Sequence, residues 1–169
     1  MVTHRQPLFK AHPLWGLAAW LLAVYATSAV GGLAASNSAD FYAQLVRPAW
    51  APPAWLFGPV WTLLYLMMGV AAWLVWRVRG FAGARMALGF FIAQLGLNAL
   101  WTWLFFDWRL GAVASAEIVL LWLVLAATIA LFWRFSKPAA ALLIPYLAWV
   151  SFAAALTFST WQMNPRLLG

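Results

Sequence analysis

The stretch Arg47-Pro-Ala-Trp-Ala-Pro-Pro-Ala-Trp-Leu-Phe-Gly-Pro-Val-Trp61 separates two long apolar segments and contains four prolines and three tryptophans. Proline fixes φ and has no backbone N–H, so the first three prolines prevent a helix from running through the stretch. Tryptophan rings are amphipathic and prefer a membrane interface or the mouth of a pocket. The stretch therefore predicts a stiff, aromatic-lined loop that leads directly into a helix.

The composition is that of an integral membrane protein. Of the 169 residues, 67% are hydrophobic and only 8% are charged, whereas a soluble domain carries about a quarter charged residues. Ten Lys+Arg against three Asp+Glu give a formal net charge of +7, and these cations flank apolar segments. We therefore interpret them as determinants of topology and contacts to lipid headgroups, and we expect a lipid bilayer, not nucleic acid, as a partner.

Five apolar segments are each long enough to cross a bilayer as a helix, which takes about 20 residues. They cover residues about 14–33, 55–76, 86–106, 112–132 and 139–161. The first is longer than the apolar core of a signal peptide, so we expect it to be retained. Residues 36–54 are predicted to form the longest loop, and residues 77–85 a basic turn. The predicted fold is all-α, a single membrane domain over residues 1–169 built as a five-transmembrane-helix bundle.

The distribution of cations predicts the orientation. Five spans place the two termini on opposite sides of the membrane. One side receives seven cations, and these are Arg5, Lys10, Arg77, Arg79, Arg85, Arg134 and Lys137. The other side receives three, and these are Arg47, Arg109 and Arg166. The positive-inside rule then places the N-terminus in the cytoplasm, favours the inner membrane of a bacterial cell envelope, and puts the proline-tryptophan loop on the opposite face.

Polar side chains within the spans are candidate functional residues because each is costly in lipid unless it is paired. Gln94 and Asn98 lie on one face of the third span, and Trp101 continues that face. Such a pair can bond to a neighbouring helix or to a polar group of a ligand, and the pattern alone favours the interhelical bond. Glu117 has no second acid or histidine in any span, so we interpret it as a structural residue and expect no catalytic constellation.

The histidines and cysteines give no indication of a metal site. His4 and His12 lie outside the spans and lack the spacing of a known site, so we expect them to be solvated. The absence of cysteine excludes disulfides, a thiolate nucleophile and cysteine ligands. In contrast, Trp61 and Tyr65 form an aromatic patch on the second span. Together with the polar face of the third span, this patch predicts a pocket for a flat, largely apolar ligand.

Several motifs resemble those of one known family. The run from Arg47 through Trp61-Thr-Leu-Leu-Tyr65 resembles the signature of the TspO/MBR family, the tryptophan-rich sensory proteins related to the mammalian translocator protein, or peripheral-type benzodiazepine receptor. Gln94-Leu-Gly-Leu-Asn-Ala-Leu-Trp101 is similar to the family's third helix, and Pro145-Tyr-Leu-Ala-Trp149 to its fifth. The resemblance covers nearly the whole chain with the motifs in the right order.

The resemblance implies a five-helix bundle, often dimeric, with a ligand pocket beneath the first loop. The implied ligands are porphyrins, haem-like tetrapyrroles, sterols and drug-like compounds, and no cofactor is required. The expected ligand-binding residues are Trp50, Pro52, Trp61, Tyr65, Gln94, Asn98, Trp101, Trp149 and Ala153. The function implied is that of a receptor or sensor that regulates tetrapyrrole metabolism or a stress response. The alternatives are a porphyrin or sterol transporter and an enzyme that degrades protoporphyrin in light, and family analogy also allows an outer-membrane location.

Small residues on the third span concern the oligomeric state. Gly89, Ala93 and Gly96 allow another backbone to approach closely, as small-xxx-small patterns do. These residues can serve a homodimer interface, which the family resemblance implies, or they can pack inside the bundle.

Overall fold

The chain forms an all-helical bundle in the computed structural model, which describes residues 13–36 and 38–169. Its α-helices are α1 (Pro13–Ala34), α2 (Ser38–Gln44), α3 (Phe57–Gly83), α4 (Arg85–Thr102), α5 (Gly111–Trp133) and α6 (Lys137–Met163). Over these residues, five helices are long and apolar enough to cross a membrane, namely all except α2. The prediction of an all-α bundle of five transmembrane helices is therefore confirmed. His4, Arg5, Lys10 and His12 lie outside the described residues, so the predictions that concern them remain predictions.

The long connection between α1 and α3 is more ordered than a simple loop. The short helix α2 lies within it. It is followed by residues 45–53, which contain three prolines and are not helical, and which we call the proline-rich segment. Pro53 has an extended backbone (φ −66°, ψ 147°), and a 3₁₀ turn at Ala54–Leu56 leads into α3. The expectation that the prolines interrupt the helices and that the stretch leads into a helix agrees with this structure.

Helix α3 extends beyond the predicted span. It continues through Arg77 and Arg79, where a basic turn was predicted, and a short helical stretch beyond a kink extends it to Gly83. The backbone leaves the helical conformation only at Gly80, which has φ 64°. Glycine adopts a positive φ without steric penalty. The arginines and bulky apolar residues before it carry no signal that would stop a helix earlier.

The core lies between α3, α4, α5 and α6. It contains fully buried large side chains from each of these helices, including Met68, Phe91, Leu121 and Tyr146. Helix α1 packs at the edge of this unit, mainly against α3 and α4. Its approach to α3 depends on Gly69, where an added Cβ would lie 2.7 Å from Leu21 Cδ2.

A second cluster of buried side chains closes the end of the bundle where α1, α4 and α6 end and α5 begins. We call this the loop end. Its members come from α2 and the residue after it, from the π-helical turn Trp103–Asp107 that follows α4, from α5 and from residues 164–169, and they are Phe41, Tyr42, Leu45, Leu104, Phe105, Ala114 and Leu168. The cluster holds α2 over the bundle and thereby defines one wall of a cavity.

Candidate functional site

A cavity of about 340 Å³ lies beneath α2 and the proline-rich segment. Residues of α1, α2, α3, α4 and α6 line it, together with residues of the two short turns, and they are Ser28, Gly31, Gly32, Ala35, Ser38, Ala39, Tyr42, Ala54, Phe57, Gly58, Trp61, Tyr65, Asn98, Trp101, Thr102, Phe106, Trp149 and Ala153. None of these lining residues is charged. The volume falls at the lower end of the range of about 300–1,000 Å³ for small-molecule pockets.

The cavity has two chemically different walls. One wall is aromatic, because α3, α4, α6 and the π-helical turn supply six of the seven aromatic rings in the lining, Trp61 and Trp149 among them. The Trp61 and Tyr65 ring centroids are 5.6 Å apart. Trp101 is held by parallel stacking on Phe105, at 5.4 Å and an angle of 11°. The other wall consists mainly of glycine, alanine and serine from residues 28–39 and the start of α3, with Tyr42 of α2 as the seventh ring. The small side chains leave open space opposite the rings, so the cavity suits a flat apolar molecule.

Asn98 provides a polar group in this apolar cavity. The Tyr65 hydroxyl donates a hydrogen bond to Asn98 Oδ1 at 2.5 Å, and Asn98 Nδ2 donates to the Tyr146 hydroxyl at 3.1 Å. The three residues lie on α3, α4 and α6, so the bonds connect three helices. A carboxamide has two N–H donors and an oxygen with two lone pairs. One N–H and one lone pair of Asn98 therefore remain for a ligand.

The structure brings six of the nine predicted site residues to the cavity, and these are Trp61, Tyr65, Asn98, Trp101, Trp149 and Ala153. Trp50 and Pro52 do not line it. The Trp50 side chain is 49% exposed and packs edge-on against Phe152 at 5.7 Å. The Pro52 carbonyl accepts a hydrogen bond from the Tyr42 hydroxyl at 3.1 Å, so this residue supports a cavity wall from outside.

Gln94 is the third predicted residue that does not line the cavity. It is fully buried one turn below Asn98, and its Nε2 lies 3.8 Å from Met68 Sδ, a contact between α4 and α3. Asn98 combines the two alternatives considered for this pair, because it bonds to neighbouring helices and also reaches the cavity. Ligand contact by any of these residues remains a prediction.

Glu117 lies on the packed face of α5 and is 8% exposed. Neither carboxyl oxygen has a hydrogen-bond partner among the described residues. Arg109, seven residues after the end of α4, does not pair with it, since the Arg109 guanidinium lies over the Phe41 ring at 4.8 Å. Within residues 13–36 and 38–169 there is no cluster of three acidic, histidine or cysteine side chains that could hold a metal ion.

The sequence analysis missed the small-residue wall. Ser28, Gly31 and Gly32 line the cavity from α1, Ala35 from the turn that follows it, and Tyr42 from α2. The Gly31-Gly32 pair near the end of the first span was a usable signal, since adjacent glycines remove bulk from one region of a helix. Small residues are common in membrane helices for packing reasons alone, so the pair did not stand out.

The comparisons with known proteins agree with this architecture. The model of the TspO/MBR family matches residues 15–162. The tryptophan-rich protein TspO of Chlorobaculum tepidum is 45% identical over 74% of this chain and 80% of its own length. A tryptophan-rich sensory protein of Cereibacter sphaeroides is 37% identical over 89% of this chain and 92% of its own. The human translocator protein is 40% identical over 73% of this chain and 75% of its own. The chain belongs to the TspO/MBR family.

Proposed function

We propose that this chain is a membrane receptor for a flat, largely apolar ligand, with porphyrins and related tetrapyrroles as the first ligand class and sterols or drug-like compounds as the second. Ligand binding would regulate tetrapyrrole metabolism or a stress response, in keeping with the name of the sensory relative. The observation that carries the proposal is the cavity itself, whose lining combines seven aromatic rings with glycine, alanine and serine and contains no charged residue.

The chemistry of the cavity suits a conjugated ring better than a charged metabolite. Aromatic side chains attract a second π-system in offset-stacked or edge-on arrangements, each contributing about 0.5–1.5 kcal/mol beyond area burial. The free N–H of Asn98 can donate to an acceptor on the ligand edge, such as a carbonyl or carboxylate. A tetrapyrrole is here the ligand, and binding needs no further cofactor. Because the cavity is small, we expect a broad macrocycle to displace one wall.

The test is a titration of protoporphyrin into the detergent-solubilised protein, followed by the Soret absorbance of the porphyrin. Porphyrin absorbance is preferable to protein fluorescence because the chain has 14 tryptophans. We expect Trp61→Phe, Trp149→Phe and Asn98→Leu each to weaken binding. Trp133→Phe is the matched control, because Trp133 does not line the cavity and is 51% exposed. Wild-type affinity in all three cavity variants would refute the assignment, whichever ligand is titrated.

The same complex distinguishes receptor from light-dependent enzyme. Trp61 and Trp149 lie on the cavity, where they would contact a bound porphyrin. A receptor leaves the Soret band unchanged in darkness, and under illumination the band fades no faster than that of protoporphyrin in protein-free detergent. Loss of the band only in light, only with oxygen, and only while these tryptophans are present would assign the degrading activity instead.

We also propose a homodimer formed through the outer face of α4. Gly89, Ala93 and Gly96 are exposed on this face in the single chain, and an added Cβ at either glycine would meet no atom within 4 Å. This exposure supports the interface alternative over packing inside the bundle. Light scattering in detergent should give a dimer mass for the parent and a monomer mass for Gly96→Leu, and a dimer in both would exclude this face.

The orientation remains a proposal with a direct test. Arg77, Arg79 and Arg85 lie where α3 meets α4, and Arg134 and Lys137 lie where α5 meets α6, so these five described cations share one end of the bundle. We propose that this end faces the cytoplasm of a bacterial inner membrane and that the loop end faces away. Reporter fusions at both termini test the proposal, and a cytoplasmic C-terminus would contradict it.

A further inference from the structure

Residues 164–169 fold back across the loop end after α6. Leu167 N–H and Leu168 N–H both donate to the Asn164 carbonyl, at 3.1 and 3.0 Å, which makes a compact turn. Gly111 N–H donates to the Leu168 carbonyl at 2.8 Å, and Trp161 Nε1 donates to the Gly169 carbonyl at 3.0 Å. The segment is thereby fixed to the start of α5 and to the end of α6.

Asn164 connects this segment to the long connection that contains α2. Its Oδ1 accepts a hydrogen bond from Val46 N–H at 2.9 Å, and its Nδ2 donates to the Val46 carbonyl at 2.8 Å and to the Thr160 carbonyl at 2.7 Å. One side chain therefore satisfies both backbone groups of a residue 118 positions away in sequence. Asn164 is 5% exposed, so water competes little for these bonds.

Leu168 makes the apolar half of the same connection. Its side chain is fully buried and belongs to the loop-end cluster that also contains Phe41, Tyr42 and Leu45. The fit is tight, since a Cβ added at Gly111 would lie 2.9 Å from Leu168 Cβ. The two contacts hold opposite ends of one short stretch, with Val46 fixed by Asn164 and the ring residues of α2 packed in the cluster.

We propose that Asn164 is a positioning residue for the ligand cavity. Together with Leu168 it holds residues 38–46 over the bundle, and a ligand passes through the loop end only when these contacts break. Ser38, Ala39 and Tyr42 lie within residues 38–46 and line the cavity, whereas Asn164 and Leu168 do not line it. Asn164 therefore acts on the cavity through Val46 and α2. The proposal rests on the receptor function for its ligand. Its claim that Asn164 controls access from water to the cavity does not depend on which ligand binds.

The test uses the absence of cysteine from the chain. Ala153→Cys places one thiol on the cavity wall, and a negatively charged methanethiosulfonate, which does not enter through lipid, reports aqueous access to it. We expect Asn164→Ala in this background to raise the modification rate by roughly tenfold, because it removes both bonds to Val46. A rate within twofold of the parent overturns the proposal. If Asn164→Ala does not fold, Asn164→Asp, which keeps the acceptor for Val46 N–H and loses both donors, is judged by the same criterion.

Two controls separate positioning from general destabilisation. Ser136→Ala removes a capping bond at the other end of α6, where Ser136 Oγ accepts from Ala139 N–H at 3.3 Å, and it should leave the rate unchanged. Ala112→Cys, exposed at the start of α5, should react equally fast in both backgrounds. Hydrogen exchange of the ligand-free protein should accelerate at residues 38–46 and not in α3 or α5. Faster exchange throughout the bundle would show a merely structural role and also overturn the proposal.

A third measurement tests whether the contacts of Asn164 control release of the ligand. Dissociation of bound protoporphyrin should accelerate in Asn164→Ala, also by roughly tenfold, since the same opening precedes release. An unchanged dissociation rate beside faster thiol modification would contradict control of ligand passage. If protoporphyrin does not bind the parent at all, the porphyrin part of the receptor proposal fails, while thiol modification and hydrogen exchange still decide whether Asn164 controls access.

Discussion

Replacing Asn98 tests whether the hydrogen bonds between three helices stabilise the bundle. Asn98→Leu keeps the approximate size of the side chain and removes both polar atoms. The hydroxyls of Tyr65 and Tyr146 then lose their partner on α4. Tyr65 is 5% exposed and Tyr146 is fully buried, so neither hydroxyl has ready access to water. The expected result is a lower free energy of unfolding, because the two tyrosine hydroxyls stay buried without a partner.

The size of this decrease follows from the two hydroxyl groups that are left without a partner. A buried polar group without a partner costs about 1–3 kcal/mol in water-soluble proteins. Interhelical bonds in membranes average about 0.6 kcal/mol and reach about 1.7, because the unfolded state in the membrane also finds partners. We therefore expect Asn98→Leu to lower the free energy of unfolding by about 1–3 kcal/mol. The triple variant Tyr65→Phe/Asn98→Leu/Tyr146→Phe should recover at least half of that loss, since no polar group is then left unpaired.

The assay is reversible unfolding in mixed detergent micelles, followed by circular dichroism of the helices. Thr128→Val is the matched control, because Thr128 is fully buried but its hydroxyl bonds only to Val124 of the same helix, at 2.7 Å. This variant should change stability much less than Asn98→Leu. The reasoning is refuted if the triple variant is less stable than Asn98→Leu alone, because the hydroxyls would then contribute through other contacts.

Three further substitutions test other parts of the packing. Glu117→Leu should raise the free energy of unfolding in the same assay by about 1–3 kcal/mol, since it removes a buried carboxyl without a partner. A lower free energy of unfolding would instead reveal a hydrogen bond that this carboxyl forms in the membrane. Gly69→Ala should lower stability by about 1–3 kcal/mol, because its Cβ would lie 2.7 Å from Leu21 Cδ2 and move α1 off α3; wild-type stability would contradict that close packing. Gly31→Val should weaken protoporphyrin binding by at least about tenfold, because Gly31 lines the cavity beside Thr102, where even a Cβ would lie 3.4 Å from Thr102 Oγ1, and a valine narrows the space for the ligand. Unchanged affinity would place the ligand elsewhere.

The spans were predictable because composition decides them. An apolar run in a membrane must satisfy its backbone internally and so becomes a helix, whatever it packs against. Helix α2 was not predictable in this way. Its seven residues, Ser-Ala-Asp-Phe-Tyr-Ala-Gln, have no strong local preference. Their position depends on the burial of Phe41 and Tyr42 in a cluster that includes Leu168, more than 100 residues later.

The candidate site was predictable where helical periodicity applies. Asn98 and Trp101 lie on one face of α4, and Trp61 and Tyr65 on one face of α3, so each pair reaches the cavity together. Trp50 has the same chemistry as these tryptophans, but it lies in a segment without regular geometry. Its ring direction is set by contact with Phe152 of α6, which no local pattern encodes. The difference between Trp50 and Trp61 is therefore one of context and not of residue type.

The two walls of the cavity belong to parts of the protein with unequal packing. The aromatic wall and Asn98 are carried by α3, α4 and α6, whose inner faces form the close-packed core. The small-residue wall is carried by α1, which packs at the edge of the bundle, and by α2, which is followed at Val46 by the hydrogen bonds to Asn164. Segments with few buried contacts open at lower free energy than the core. We therefore expect a ligand too broad for the resting cavity to be accommodated by movement of α1 and α2, while the rings and Asn98 keep their geometry.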